Sequence, residues 1–169
     1  MFPQSGENKT ETAVFGAGCF WGVEEIIRQI PGVVETTAGY CGGKIPDPTY
    51  RDVCLGTTGH AEVVRIRFDP ASVSYATLLD YFFRLHNPTT RNRQGNDIGS
   101  QYRSVIFCQN AGQQKTAAAR KQAVDESGKW KDPVVTEIAA AAPFYPAEDY
   151  HQNYLQKNPG GYHCHFLRD

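Results

Sequence analysis

The stretch Gly16-Ala17-Gly18-Cys19-Phe20-Trp21-Gly22-Val23-Glu24-Glu25 decides how this chain is read. Thr12 to Phe15, just before it, is short, apolar and β-prone, while Val23, Ile26, Ile27 and Ile30, just after it, recur at helical spacing. Cys19 therefore stands where a strand hands over to a helix. A thiol there meets unpaired backbone N–H groups and the positive end of the helix dipole, and both favour the thiolate. Gly16, Gly18 and Gly22 leave room for close approach of backbone or ligand. Phe20 and Trp21 offer apolar walls beside a nucleophile. A cysteine between glycines is equally readable as a small core hydrophobe in a turn, so the rest of the chain has to choose between the two.

Working outward, 169 residues fit one domain, residues 1–169, large enough to bury a real core. A net charge of −1 gives no basic bias, which argues against nucleic acid as a partner. No apolar run is long enough to cross a membrane. Residues 1–10 are polar and lack the apolar centre of a signal peptide, so they read as a mobile lead-in to a cytoplasmic, monomeric protein. The five cysteines (19, 41, 54, 108 and 164) cannot all pair within one chain, which suits reduced thiols with at most a redox pair better than a secreted disulfide framework. Met1 is the only methionine.

The chain punctuates clearly. Pro31-Gly32 stops the first helix, and Val33 to Tyr40 reads as a strand. Residues 44–59, with two prolines and two glycines, read as a long loop. Glu62 to Phe68 is a strand by its β-branched content, and Ser74 caps a helix running through Leu85. Arg91 to Arg103 is a second polar loop. Then come a strand from Ser104 to Cys108, a helix from Gln113 to Ser127, a strand from Val134 to Ala139, a loop at 143–146 and a helix from Ala147 to Asn158. Residues 159–169 form a Gly-rich tail, expected to be mobile. The alternation gives an α/β (α+β) two-layer sandwich of ferredoxin-like character, with a mixed sheet, helices and long coil segments.

Gly18-Cys19-Phe20-Trp21-Gly22 closely resembles the active-site signature of the peptide methionine sulfoxide reductases, A class. Gly59-His60-Ala61-Glu62-Val63, and Gly95 through Ser104 with Asp97 and Tyr102, resemble further motifs of that family in the same order. The likeness runs from about residue 12 to 166, and it implies the same two-layer fold. It also implies a chemistry with definite needs. A sulfoxide becomes electrophilic only when its oxygen gains a proton or strong hydrogen bonds, and the attacking thiolate ends as a sulfenic acid that a second thiol must resolve.

By this resemblance Cys19 is the nucleophile and Glu62 the acid, and Tyr50 and Tyr102 hydrogen-bond the sulfoxide oxygen. Phe20 and Trp21 hold the S-methyl group, and Asp97 anchors the backbone of the bound residue. Cys164 is the resolving thiol, with Cys41 its rival, since Cys41 occupies a Gly-rich turn where the family more often has a small residue. Cys54 is left without a role, and Ala147 to Gln152 supports the site without a chemical step. The implied substrate is the S epimer of methionine sulfoxide, free or in proteins. Thioredoxin or another dithiol is the reductant, and no bound cofactor is needed. Besides a pure scaffold or binding role, which the clustering of donor, acid and thiol motifs argues against, two rivals stand beside this reading. One is a metal module using Cys19, Cys41, Cys54, Cys164, His60, His163 and His165, weak for want of a paired ligand motif. The other is a thiol peroxidase sharing Cys19 but needing neither Glu62 nor a methyl pocket.

Overall fold

The computed structural model describes residues 9–162 and 165–169. His163 and Cys164, the second of them the expected resolving thiol, lie outside the described residues, as does most of the N-terminal lead-in. The elements are β1 (Glu11–Ala17), α1 (Phe20–Ile27), β2 (Val33–Cys41), α2 (Tyr50–Cys54), β3 (Ala61–Phe68), α3 (Tyr75–Leu85), β4 (Arg93–Gln94), β5 (Asp97–Ile98), β6 (Ser104–Cys108), α4 (Ala111–Glu126), β7 (Glu137–Ala140), β8 (Phe144–Pro146) and α5 (Tyr154–Lys157).

Six strands form one sheet in the order β7-β6-β1-β3-β2-β8. Its four central strands run antiparallel to their neighbours, as the ferredoxin-like reading requires. β7 joins parallel to β6 by way of α4, and β8 joins antiparallel to β2, which makes the sheet mixed. Strand alternation divides the side chains between two faces. Ala13, Phe15, Tyr40, Val64, Ile66, Phe68 and Ile106 meet α1 and α3 in the larger core. Val14, Cys41, Ala61, Val63, Val105 and Phe107 form a smaller core on the opposite face, flanked by Phe144. Ser74 caps α3 by accepting from the Thr77 N–H at 3.0 Å, as its sequence position suggests.

Several boundaries differ from expectation, each for a local reason. α1 begins at Phe20 rather than Val23, so Cys19 is its N-cap and both aromatics lie in its first turn. The loop at 44–59 contains α2, begun by a reciprocal cap between Thr49 and Asp52. The loop at 91–103 contains the β4–β5 hairpin and a 3-10 turn at Ser100–Tyr102. β7 starts three residues late, because the Val134 and Val135 N–H groups are spent on Asp125 and the Pro88 carbonyl. Residues 143–146, expected as a loop, supply β8.

The expected helix from Ala147 to Asn158 is a 3-10 turn at Asp149–His151 followed by α5. Between them Gln152 is extended, and its side-chain amide both accepts from the Ala38 N–H and donates to the Ala38 carbonyl, continuing the edge of β2 beyond β8. Asn153 then adopts a left-handed conformation, with φ at 52°. Its N–H donates to buried Glu24, which also accepts from the Thr36 hydroxyl. The end of the tail is fastened rather than loose: the Arg168 N–H and carbonyl pair with the Arg84 carbonyl and Nε on α3.

Glu24 thus ties α1, β2 and the C-terminal segment together, and burial pushes its carboxyl pKa up despite those two bonds. Glu24→Ala strands two buried donors and opens a cavity, so it should cost about 2–4 kcal/mol of unfolding free energy in urea titration.

Candidate active site

β1 delivers the chain to Gly18, whose φ of +96° suits a residue without Cβ and whose would-be Cβ collides with the Gln94 side chain. That bend sets Cys19 at the mouth of α1, with only 7% of its surface exposed. One of the unpaired N–H groups of the helix start belongs to Phe20, and it donates to Glu62 Oε1 at 3.1 Å. Glu62 reaches it from the next strand but one. It lies opposite Tyr40 in the β2–β3 register and points to the helical face.

Glu62 is 1% exposed, and its second oxygen, Oε2, has no hydrogen-bond partner among the described residues. Burial outweighs the Phe20 N–H bond and, with the Asp97 charge added, lifts the carboxyl pKa to about 8. The carboxyl therefore carries a proton at neutral pH, and it is bonded to the backbone of the residue that follows Cys19.

Tyr50 stands on the first turn of α2 and Tyr102 ends the 3-10 turn before β6. Burial raises both phenol pKa values well above the ordinary range. Tyr102 also feels the charges of Glu62, Cys54, Asp97 and Cys19, so the expected acid, thiol and anchor share its surroundings. Cys54, left without a role by the sequence, lies one turn after Tyr50 on the same face of α2. Partial burial raises its thiol pKa, while hydrogen bonds from both tyrosines lower it. The backbone supports the arrangement, since Gln101 Nε2 donates to the Cys54 carbonyl.

Phe20 and Trp21 enter an aromatic wall drawn from three other segments. Trp21 stacks on Tyr154 with ring centroids 3.9 Å apart, and Tyr50 lies 4.2 Å from the ring of His151. His151 is fully buried. Its Nδ1 accepts from Trp21 Nε1 at 2.9 Å, which places the imidazole proton on Nε2, where no partner exists among the described residues. Burial lowers its pKa and keeps the ring neutral. Glu148 completes the frame by accepting from the Tyr40 hydroxyl and the Tyr50 N–H.

The expected anchor, Asp97, sits on β5 at the rim and accepts from the Tyr162 hydroxyl at 3.2 Å. Cys41 lies on the opposite face of the sheet, its thiol toward the Ala142 carbonyl at 3.6 Å, and burial raises its pKa to about 11. No disulfide joins Cys19, Cys41, Cys54 or Cys108. Among the described residues no group of three or more His, Cys, Asp or Glu is placed to hold a metal ion. His60, one of the ligands weighed for a metal module, spends both ring nitrogens on the Gly43 N–H and the Ile45 carbonyl.

Sequence reasoning placed Glu148 and His151 in a supporting segment without their partners, and it missed Tyr154 and Tyr162 as parts of this site. These two tyrosines fall in or just beyond the segment expected to be a regular helix, where no periodic signal marks an aromatic that leaves the helix axis.

Known proteins carry the same pattern. Residues 11–168 match the family model of peptide methionine sulfoxide reductase. The peptide methionine sulfoxide reductase of Methanoculleus marisnigri is 56% identical over 92% of this chain and 94% of its own. That of Methanothermobacter thermautotrophicus is 53% identical over 95% of each. Among solved structures, Mxr1 of Saccharomyces cerevisiae in reduced form superposes with a TM-score of 0.89 at 38% identity, covering 95% of this chain and 93% of that one. Methionine sulfoxide reductase A of Corynebacterium diphtheriae gives 0.81, also at 38%, over 94% and 79%. With a thiol at a helix mouth, a protonated carboxyl beside it and an aromatic wall around both, the chain belongs to the peptide methionine sulfoxide reductase family and is an oxidoreductase that reduces methionine sulfoxide.

Proposed function

We propose that Cys19 and Glu62 carry the first step together. The Cys19 thiolate attacks the sulfoxide sulfur while Glu62 Oε2 delivers a proton to the sulfoxide oxygen. The sulfoxide sulfur gains two electrons and leaves as the thioether, and the oxygen ends on Cys19 as a sulfenic acid. The observation that carries this reading is the buried Glu62 carboxyl, held by the Phe20 N–H and protonated at neutral pH. Tyr50 and Tyr102 turn their O–H groups from Cys54 to the sulfoxide oxygen and stabilise the charge that develops there. Phe20 and Trp21 receive the S-methyl group against the Tyr154 ring, and Asp97 accepts the backbone N–H of the bound residue.

The second step joins Cys164 to Cys19. An S–S bond forms, the S–O bond breaks, and the oxygen departs as water with the thiol proton. A thioredoxin then reduces the disulfide by exchange. The structure of Mxr1 in complex with Trx2, which this chain matches with a TM-score of 0.65 at 25% identity, supports a thioredoxin as reductant. Cys41, buried behind the sheet with a raised pKa, is the poorer resolver. Selectivity for the S epimer, action on both free and protein-bound sulfoxide, a monomeric state and a cytoplasmic location complete the proposal. No helix among the described residues is long and apolar enough to cross a membrane.

Cys19→Ser should abolish methionine formation from either epimer in a single-turnover assay, and retained turnover would sink the mechanism. Glu62→Gln should slow the same step on the order of 10²–10⁴-fold while Cys19 still reacts with a small alkylating agent. In the wild type the rate of this step should fall as pH rises through about 8, and Glu62→Gln should lack that fall.

The same group bears on stability. The folded protein keeps the Glu62 proton up to about 8, whereas the unfolded chain releases it near 4.5. Stability from this group is therefore complete below the lower value and declines as pH rises toward the upper one. Glu62→Gln should gain roughly 1–3 kcal/mol over the wild type at pH 8 and little at pH 4, read by urea titration at both. His151→Phe, which removes the acceptor of the Trp21 N–H, should raise KM about 2- to 10-fold with a smaller change in kcat.

A further inference from the structure

The glycines on either side of Cys19 face a second group besides substrate. His165 is 6% exposed although it lies five residues from the end of the chain. Its Nε2 sits 2.6 Å from the Ala17 carbonyl oxygen, which can only accept, so Nε2 carries a proton and donates it there. The same ring lies against the two glycines that bracket the nucleophile. A Cβ on Gly18 would stand 3.2 Å from Nε2, and a Cβ on Gly22 would collide with Nδ1 and lie 3.1 Å from the His165 Cβ. Gly22 is a buried position inside α1, where an alanine would serve the helix better. Its missing side chain is the berth of the imidazole. Beyond His165 the chain is fastened again, where Arg168 pairs with the Arg84 backbone on α3.

We infer that His165 is a positioning residue for the resolving step, docked in the Gly18–Gly22 cradle so that the C-terminal segment stays tethered to the turn that presents Cys19. The inference rests on the proposed roles of Cys19 and Cys164. Cys164 precedes His165 directly in the sequence, so the cradle holds the chain neighbour of that thiol at the Cys19 turn. Tethering raises the effective concentration of one thiol at the other. The step itself needs nothing beyond the thiol and the sulfenic acid: the S–S bond forms, the S–O bond breaks, and water leaves.

The test is an anaerobic single turnover of the reduced full chain with a methionine sulfoxide peptide. Methionine, remaining thiols, mapped disulfides and dimedone-trapped Cys19 sulfenic acid are followed in time. In the wild type, methionine appears and two thiols are then lost as a Cys19–Cys164 disulfide. In His165→Ala, methionine should appear within about twofold of the wild-type rate, while disulfide formation slows by about tenfold or more and the sulfenic acid becomes trappable. His165→Gln, which keeps an N–H donor for the Ala17 carbonyl, should recover most of the disulfide rate. Gly22→Ala, with His165 intact but its berth filled, should reproduce the His165→Ala defect, and it decides the matter if His165→Ala does not fold.

Wild-type disulfide rates in the folded substituted proteins, or equal slowing of both steps, would overturn the inference. The reading beneath it fails differently: a wild type that forms no methionine, or one that resolves through Cys41 or Cys54, overturns the assigned roles before any variant is compared.

Discussion

One hydrogen bond, from the Phe20 N–H to Glu62 Oε1, joins the turn that carries Cys19 to the buried carboxyl of β3. It spans 42 residues of sequence and ties the mouth of α1 to the third strand of the fold. Without it the helix start would leave a donor unpaired in the core, and the carboxyl would have no fixed direction. It also sets a limit. A single N–H bond lowers the carboxyl pKa, but burial raises it further, so the acid stays neutral. The other carboxyl oxygen has no hydrogen-bond partner among the described residues.

Around that bond the site divides its labour. The residues proposed to face the chemistry come from the mouth of α1, from β3, from α2 and from the 3-10 turn before β6. The residues that hold them are buried polar groups reaching between distant segments: Glu24 between β2 and Asn153, Glu148 between Tyr40 and Tyr50, Gln152 along the edge of β2, His151 on the Trp21 indole. Unsatisfied buried polar atoms are costly, so each bond restricts the geometry more than an apolar contact would. The aromatic wall is held at the Trp21 indole by its bond to His151 Nδ1.

What could be read from the sequence follows from this division. The strand, the Cys19 turn, the following helix and the four-strand core were legible because apolar periodicity reports burial on one face. The position of Glu62 at the head of an apolar strand, together with the family motif, singled out a carboxyl that the structure buries beside the start of α1. The supporting groups were legible only as a segment, residues 147–152, because Glu24, Glu148 and Gln152 look like surface residues of helices until their partners far along the chain are known. α2 and the β4–β5 hairpin left small signals that were passed over, the Thr49–Asp52 spacing of a capping box and the Gly95-Asn96 pair of a tight turn. β8 left none, since three residues ending in proline carry no period. The C-terminal helix failed as an expectation because Glu148, Gln152 and Asn153 give their bonding groups to other elements rather than to a helix.

The sheet ends in β7, four residues long, and β8, three residues ending at Pro146. Exposed strand edges invite pairing with any extended chain, and short or proline-bearing edges discourage it. A repair enzyme that works on oxidised peptides meets chains whose packing has been damaged and whose strand-forming segments are exposed. Its own borders offer those chains almost no ladder to extend. It can engage a damaged polypeptide through one oxidised side chain and release it, without being drawn into the aggregates such chains form.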